Sequence, residues 1–313
     1  MTTVTIHEIV NTLTLLANSE KNIFKKKAIQ KAVASIKASP LKSIQNSKEL
    51  KDLQGVGKGI LERVDKIISG ELEKPQNINE LLEVHGIGPS KANELAKQYK
   101  ITNIDQLRTY LDKDDTILND KQKLGLKYVK NTLERIPREE MTQHNNFIKR
   151  NIKKLLKEKY PSIADIDVEI TGSYRRKKET SGDIDVLIKN TSNNIIKLKD
   201  IIQLLVDKKY LLEEHFAYGD IKYLGLANHK LFNKIRRIDI LLIGEEEYPF
   251  ALLYFTGSKE FNIKCRNAAI EKGFTLNEHG IVNLETKEKV KGLKTERDIL
   301  KFIDIRYVLP EKR

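Results

Sequence analysis

The sequence predicts an α+β, multidomain chain, with a helical N-terminal part followed by a part built on a mixed sheet. Three observations carry this. The chain has 313 residues, more than one compact core accommodates. Over roughly its first 135 residues, apolar side chains recur three and four apart. After Pro137 the pattern changes to alternation bounded by turn residues, which is the period of strands.

In the N-terminal part, helical spacing runs over 6–16, 24–36 and 60–68, with breaks at Ser39-Pro40, Ser69-Gly70 and Lys74-Pro75. Beyond Pro137, a helix over about 141–159 leads into Asp165-Ile-Asp-Val-Glu-Ile-Thr, which alternates as a strand does. Further strands are expected over 184–188, 223–226, 235–243 and 250–254.

Composition narrows the setting. Hydrophobic residues make up 39% and charged residues 32%, no run approaches the roughly 20 apolar residues a bilayer requires, and the N-terminus is not a signal peptide. A single cysteine, Cys265, excludes an intrachain disulfide framework and any multi-cysteine zinc site, and implies a reducing, intracellular setting, nuclear or cytoplasmic. Fifty-seven Lys and Arg against forty-four Asp and Glu leave a net charge of +13. That surplus favours a polyanion, either nucleic acid or an anionic membrane. The lysines are spread along the chain and not gathered on one amphipathic helix, which weakens the membrane reading. A solvated lysine-rich surface is the plain alternative.

One internal echo sharpens the choice. Leu53-Gln-Gly-Val-Gly-Lys-Gly-Ile recurs in kind as Val84-His-Gly-Ile-Gly-Pro-Ser-Lys, each copy followed by helical spacing. A Gly-hydrophobic-Gly turn between two helices brings bare backbone close to a phosphate and leaves free amides at the second helix start. One copy is a tight turn as readily as a site. Two copies in a basic chain indicate paired helix-hairpin-helix clamps on a DNA backbone.

The chemistry concentrates in Thr171-Gly-Ser-Tyr-Arg-Arg-Lys-Lys-Glu-Thr-Ser-Gly-Asp-Ile-Asp-Val-Leu-Ile. Asp183 and Asp185 are two apart, so on a strand both carboxylates face one way, with Ile184, Val186 and Ile188 on the other. Such a pair repels itself unless a hard cation lies between, and Mg²⁺, which prefers oxygen and phosphate co-ligands, suits it. Gly172-Ser173 opens a helix with free amides. Arg175 and Arg176 offer forked donors to phosphate oxygens, and Gly182 keeps the backbone bare. Asp239, within Arg236-Arg-Ile-Asp-Ile, supplies a third acid from another strand, enough to hold two Mg²⁺. Taken alone, Asp-x-Asp is equally an ordinary edge strand.

These motifs, with Tyr254-Phe-Thr-Gly-Ser, Glu271-Lys-Gly-Phe-Thr-Leu-Asn-Glu, Gly125-Leu-Lys-Tyr and Arg135-Ile-Pro-Arg-Glu-Glu, resemble the family X DNA polymerases of the beta type from about residue 20 onward. The resemblance implies a lyase-like helical DNA-binding domain with the first hairpin over 1–77, and a helical subdomain with the second over 78–134. A nucleotidyltransferase palm with a mixed sheet over 135–245 and a small α+β nucleotide-selection subdomain over 246–313 complete it. It implies that Asp183 and Asp185 bind both Mg²⁺ ions (Mn²⁺ substituting), and that Asp239 holds the catalytic one beside the primer 3′-hydroxyl. Arg135, Ser173, Arg176 and Gly182 match triphosphate contacts. Tyr254, Phe255 and Gly257 match the segment under the incoming sugar, and Asn262 the reader of the base's minor-groove edge. Arg237 matches a residue near the primer terminus and Arg266 one reaching the template. Backbone carbonyls of Lys51, Leu53 and Val56, and of Leu82, Val84 and Ile87, match Na⁺ or K⁺ sites bridging to phosphates. Lys25, Lys31, Gly55, Gly57, Lys58, Gly86, Gly88 and Ser90 match DNA contacts. The implied partners are gapped or primer-template DNA and deoxynucleoside triphosphates, acted on by a monomer without a membrane.

The sequence departs from that family at four places. Arg63 stands where a lysine forms the Schiff base of the 5′-deoxyribose-phosphate lyase reaction, and a guanidinium cannot serve as that nucleophile. Lys58, Lys66 and Lys74 are the candidate substitutes. Around the expected 5′-phosphate pocket, Phe24 and Ile29 replace polar rings, and Gly59 replaces a lysine. Leu241 replaces an arginine that pairs with the second metal-binding aspartate, and Lys259 an aspartate packed on the incoming base. A short connection between Tyr223 and Asp239 favours a templated enzyme. The lack of flanking modules points to a minimal gap-filling enzyme without proofreading. Two other readings remain: a template-independent nucleotidyltransferase, and a non-catalytic module that binds DNA ends.

Overall fold

A computed structural model describes residues 3–20, 22–71, 77–162, 166–190 and 195–313. Lys74, Pro75 and Asp165, to which the sequence assigned a lyase candidate, a helix break and a strand start, lie outside the described residues. The chain divides into two compact units, Met1–Val129 and Lys130–Arg313. No described helix is long and apolar enough to cross a membrane.

The first unit is helical. Strand β1 (Val4–Thr5) pairs antiparallel with β2 (Ser43–Ile44), bracketing α1 (Ile6–Ser19) and α2 (Ile23–Ala38). Thr5 caps α1 through a bond from Glu8 N, and Asn22 caps α2, so each helix begins where an oxygen-bearing side chain meets its free amides. Ile9, Leu13, Ala32, Ile36 and Leu50 form a core with Val64 of α3 (Lys58–Ile68). A second core gathers α4 (Asn79–Glu83), α5 (Pro89–Tyr99), α6 (Ile104–Leu111) and α7 (Asp120–Lys127) around Leu81, Leu95, Leu107 and Leu126.

The two sequence echoes become two equivalent turns. Gly55 and Gly86 take φ of +84° and +89°, a region that side chains with a Cβ rarely enter, and Gly57 and Gly88 stand at the N-termini of α3 and α5. Val56 N bonds Leu53 O at 3.1 Å and Ile87 N bonds Val84 O at 3.0 Å, closing each turn identically. The Gln122 side chain donates to Gly86 O at 3.1 Å and fastens the second hairpin to α7. The same helix approaches that hairpin closely at Gly125, where a Cβ would lie 2.1 Å from the His85 carbonyl oxygen. Alanine favours a helix over glycine by about 1 kcal/mol, but a backbone clash of this size costs about 1–3 kcal/mol, so the clash prevails. Gly125→Ala is therefore expected to lower the urea midpoint of unfolding; an unchanged or raised midpoint contradicts this packing.

The second unit begins with α8 (Val129–Leu133), whose first residue belongs to the preceding unit, and β3 (Ile136–Pro137). Helix α9 (Arg138–Lys159) then leads to the sheet. Five strands lie in the order β4 (Val168–Ile170), β6 (Ile184–Lys189), β9 (Lys234–Ile243), β8 (Lys222–His229), β7 (Leu211–Tyr218). Only β6 and β9 run parallel; the other neighbours are antiparallel. Between β4 and β6 lie α10 (Gly172–Arg175) and β5 (Thr180–Ser181), which pairs with β3. Ile184, Val186, Ile188, Ile238, Ile240 and Leu242 project into one core with Ile148 and Ile152 of α9 and Ile201 and Leu205 of α11 (Leu198–Asp207).

On the opposite face, Leu187, Leu241 and Ile243 pack against Tyr248 and Ala251 of α12 (Tyr248–Thr256). The expectation of a strand over 250–254 is thus corrected to a helix. A short apolar run does not distinguish a buried strand from a buried helix, and here Pro249 sits in the first turn, which a helix tolerates. The helix is apolar all round because its other side, through Phe250 and Leu253, belongs to a further core. That core includes α13 (Lys259–Glu271), the hairpin β10 (Phe274–Asn277) and β11 (Gly280–Asn283), and α14 (Glu296–Phe302).

Candidate active site

The parallel pairing of β6 with β9 places Asp185 directly opposite Asp239. Both lie on the face that carries Leu187 and Leu241, on the strand stretch before α12 covers it. Burial pushes the Asp185 carboxyl up to about 7, with the negative charge of Asp239 adding to the rise and Arg176 opposing it. Burial likewise raises Asp239, against the pull of Arg237 and Lys222. Gly172 has φ +56°, and a Cβ there would fall 2.5 Å from Asp185 Oδ2, so its bare Cα makes room for that carboxylate.

Asp183 departs from expectation. Strand β6 starts at Ile184, so Asp183 precedes it, and its carboxylate is ion-paired with Arg237 two residues before Asp239. Among the described residues no three acidic, histidine or cysteine side chains converge closely enough to hold an ion as they stand. The donor set nevertheless fits a hard divalent cation. Two desolvated carboxylates lie in register, and no described Lys or Arg forms an ion pair with either. Asp183 must exchange Arg237 for the ion to join them.

Around this pair the chain gathers several of the expected nucleotide contacts. The β3–β5 pairing carries Arg135 onto Thr180, with Nη2 donating to its carbonyl at 2.8 Å and Nε to its Oγ1 at 3.1 Å. The same guanidinium lies 3.2 Å from where a Cβ on Gly182 would be. Ser173 Oγ meets Ser181 Oγ at 2.9 Å. Arg176 Nη1 donates to Thr256 O at 2.5 Å, while its Nε is buried with no hydrogen-bond partner. Gly257, at φ +71°, would meet Arg176 Nη1 at 2.9 Å if it carried a Cβ. Asn262 Nδ2 donates to Tyr254 O at 2.8 Å, the Arg266 guanidinium lies 5.2 Å over the Tyr254 ring, and Phe255 meets that ring edge-on.

Arg175, read from sequence as a phosphate donor, is held by protein side chains. It makes a two-pronged ion pair with Glu296 at 3.0 and 2.7 Å and donates to Thr256 Oγ1 at 2.6 Å, while Arg313 donates to Glu296 at 2.6 Å. Its neighbour Arg176 keeps a free edge because the short α10 turns consecutive side chains apart. Thr256, Glu296 and Arg313 are the members of this arrangement that sequence reasoning left unassigned. Thr256 stands inside the quoted Tyr-Phe-Thr-Gly-Ser motif, whereas nothing local marks Glu296.

In the first unit, Lys25, Lys31, Lys58 and Ser90 are exposed. The aliphatic part of Lys31 lies 2.9 Å from where a Cβ on Gly55 would stand, so it covers the first hairpin turn. Ile29, expected at a phosphate pocket, is instead 2% exposed within the core, because α2 turns it inward beside Ala32. Phe24 is 80% exposed at the start of α2. Arg63 donates to Gly59 O at 2.8 Å on α3. The carbonyls of Leu53 and Val84 each accept one backbone bond, which leaves a lone pair free on each.

Four successive segments of the chain match known families. Residues 5–73 match a helix-hairpin-helix domain, 79–132 the fingers domain of DNA polymerase lambda, 135–245 the DNA polymerase beta palm and 251–313 the DNA polymerase beta thumb. The chain is 28% identical to DNA polymerase lambda of Arabidopsis thaliana over 313 residues, covering 90% of this chain and 56% of that protein. It is 27% identical to DNA polymerase lambda of Rattus norvegicus over 311 residues, covering 90% and 51%. The "DNA polymerase/3'-5' exonuclease PolX" of Bacillus subtilis (strain 168) is 28% identical over 308 residues, covering 93% and 51%. The chain thus spans about half the length of the curated relatives it matches. Hairpin, fingers, palm and thumb modules thus follow one another along the chain. The chain belongs to the family X DNA polymerases.

Proposed function

We propose that this chain is a DNA-directed DNA polymerase that fills short gaps during repair such as base-excision repair. The observation that carries the reading is the register pairing of Asp185 with Asp239 beside the Gly172-Ser173 turn. The reaction is in-line attack of a primer 3′-hydroxyl on the α-phosphorus of a deoxynucleoside triphosphate, with pyrophosphate leaving. Asp185 and Asp239, joined by Asp183, would hold two Mg²⁺, which supply activation of the hydroxyl and charge neutralisation at the leaving group. Ser173, Arg135 and the amides near Gly182 orient the triphosphate, and the buried, unpaired Nε of Arg176 is a donor matched to it. The Tyr254–Gly257 segment lies under the sugar, held on one side by Asn262 and on the other by Arg176. The paired hairpins clamp the duplex backbone, with Na⁺ or K⁺ on their carbonyls.

The four-residue connection 230–233 between β8 and β9 favours a templated reaction over free tailing. Primer extension on one-nucleotide-gapped DNA with Mg²⁺ tests the proposal, beside a single-stranded primer given one nucleotide. Filling of the gap alone supports it; indefinite tailing of the single strand replaces it with a terminal transferase, and no extension of either leaves a DNA-end-binding module. Borohydride trapping on a 5′-deoxyribose-phosphate end is expected to give no adduct, since Arg63 takes the nucleophile's place; a trapped adduct would assign that role to another residue, such as Lys58 or Lys66.

Leu241 carries a kinetic expectation. It lies two residues beyond Asp239 and packs on Leu187, leaving Asp185 without an arginine partner. Leu241→Arg supplies that partner and is expected to slow single-nucleotide incorporation about tenfold, a barrier of about 1.4 kcal/mol. Rapid-quench kinetics check it, and an unchanged incorporation rate counts against the idea.

A further inference from the structure

We propose that the palm carries a second nucleotide pocket, apart from the acid-lined site, which accepts one phosphorylated nucleoside unit. It is a cavity of about 380 Å³ where α9, the end of α11 and the β8–β9 turn meet. None of the residues placed around Asp185 and Asp239 lines it. The volume suits a single nucleotide and is too small for a duplex.

Its floor is aromatic. Phe147 and Tyr210 stack with centroids 4.6 Å apart and planes 24° from parallel, and His229 meets the Phe147 ring edge-on at 5.5 Å. These rings are fixed from beneath: Tyr210 Oη bonds His144 Nδ1 at 2.7 Å within the buried core. Leu231 N donates to His229 Nδ1, so the neutral ring keeps its proton on Nε2. Leu231, 71% exposed on the turn above, offers an apolar surface to the second face of a ring lying on that floor. A nucleobase presents a π-face of that kind whatever its identity.

Its rim is cationic. Arg150, Lys208, Lys209 and Lys230 line the cavity with no acidic residue among its walls, and none of the four has an ion-pair partner among the described residues. Four unpaired cations around an aromatic floor select an anion attached to a ring, and a phosphate on a nucleoside is that combination. Independently, Asn228 is a wall residue of this cavity whose Oδ1 is buried and without any donor, although the residue's backbone N is bound to Tyr210 O at 2.8 Å. A buried acceptor left without a donor is costly, and a base's N–H or amino group relieves it.

The unit has two possible sources, a free nucleotide or one residue of a single strand. Titrations of the full chain in EDTA with dAMP, with a dA12 oligonucleotide and with inorganic phosphate separate them. The probes are compared in the parent, in Lys209→Glu/Lys230→Glu and in Asn228→Leu, with melting temperature as the folding control. The charge reversal is expected to weaken dAMP, dA12 or both by about tenfold. Asn228→Leu is expected to weaken the same probe while leaving inorganic phosphate unchanged. Loss of dAMP binding identifies a free-nucleotide site, and loss confined to dA12 identifies a strand-binding site. The proposal is overturned if neither probe responds to the variants, or if inorganic phosphate binds as tightly as both.

Discussion

Replacing Asp239 by alanine is expected to lower single-nucleotide incorporation by about a thousandfold or more, equivalent to about 4 kcal/mol of transition-state stabilisation. The argument rests on where the sheet puts this group. Asp239 lies opposite Asp185 in the β6–β9 register, and burial already holds both carboxyls above their ordinary range. Neither has a described cationic side chain ion-paired to it, so a bound dication is what offsets their repulsion. Removing Asp239 halves that cradle, yet it relieves Asp185 of a like charge. The variant is therefore expected to fold at least as well as the parent in the absence of metal. Rapid-quench incorporation with thermal melting in EDTA measures both effects; full elongation activity in the variant would overturn the proposed site.

A second large effect concerns stability. Arg236 is fully buried and makes a two-pronged ion pair with Glu140 at 2.7 and 2.9 Å, and Glu140 also lies beside buried His144. Glu140→Ala takes the two-pronged partner from a buried guanidinium and leaves it Glu134, paired at 3.3 Å and about half exposed, which costs about 3 kcal/mol. Urea unfolding measures the loss. A Glu140→Met/Arg236→Met pair, which removes both charges, is expected to recover much of it. A single Glu140→Ala variant as stable as the parent would show the pair to be dispensable.

The same cluster sets an acid limit. Burial alone would raise Glu140, but the nearby His144 imidazole and the two hydrogen bonds from Arg236 outweigh it and hold the carboxyl at about 2, below the ordinary 4.5. A depressed carboxyl contributes stability that is full above the unfolded value and lost as pH falls toward the folded one. Burial lowers His144 from 6.5, against the pull of Glu140, so its contribution also disappears as pH falls. The stability this cluster contributes should thus decline from about pH 6.5 downward and again below about 4.5, opposite in sign to the raised Asp185 and Asp239. It is therefore read as the difference in urea midpoint between parent and His144→Phe, which should shrink as pH falls below about 6.5.

The features most legible in sequence were those fixed by local geometry. Two Gly-x-Gly turns need positive φ and near-identical closure, and the chain supplies both. Asp185 and Asp239 each stand between apolar residues of a strand run, Ile184 and Val186 in β6 and Ile238 and Ile240 in β9, which marks them as strand-borne from sequence, although Leu187, Leu241 and Ile243 break the alternation beyond them. What remained hidden depends on partners distant in the chain. Arg175 looked like a phosphate ligand, but its partner Glu296 is 121 residues away. Asp183 sits one residue outside its strand because Gly182 and the β5 pairing end the alternation there. Strand β7 escaped notice since register shifts on both sides of His215 break its two-residue period. The segment over 250–254 is equally apolar on every side, so its period carried no information about type.

Helix α12 has a mechanical consequence. Greased on all flanks, it resembles an axle lodged between two bearings, with the Thr256–Gly257 corner at one end clasping Arg176, the arginine proposed for the triphosphate. Any swing of the C-terminal lobe would therefore be geared to the reaction chamber through that spindle, with no loop needed to relay it.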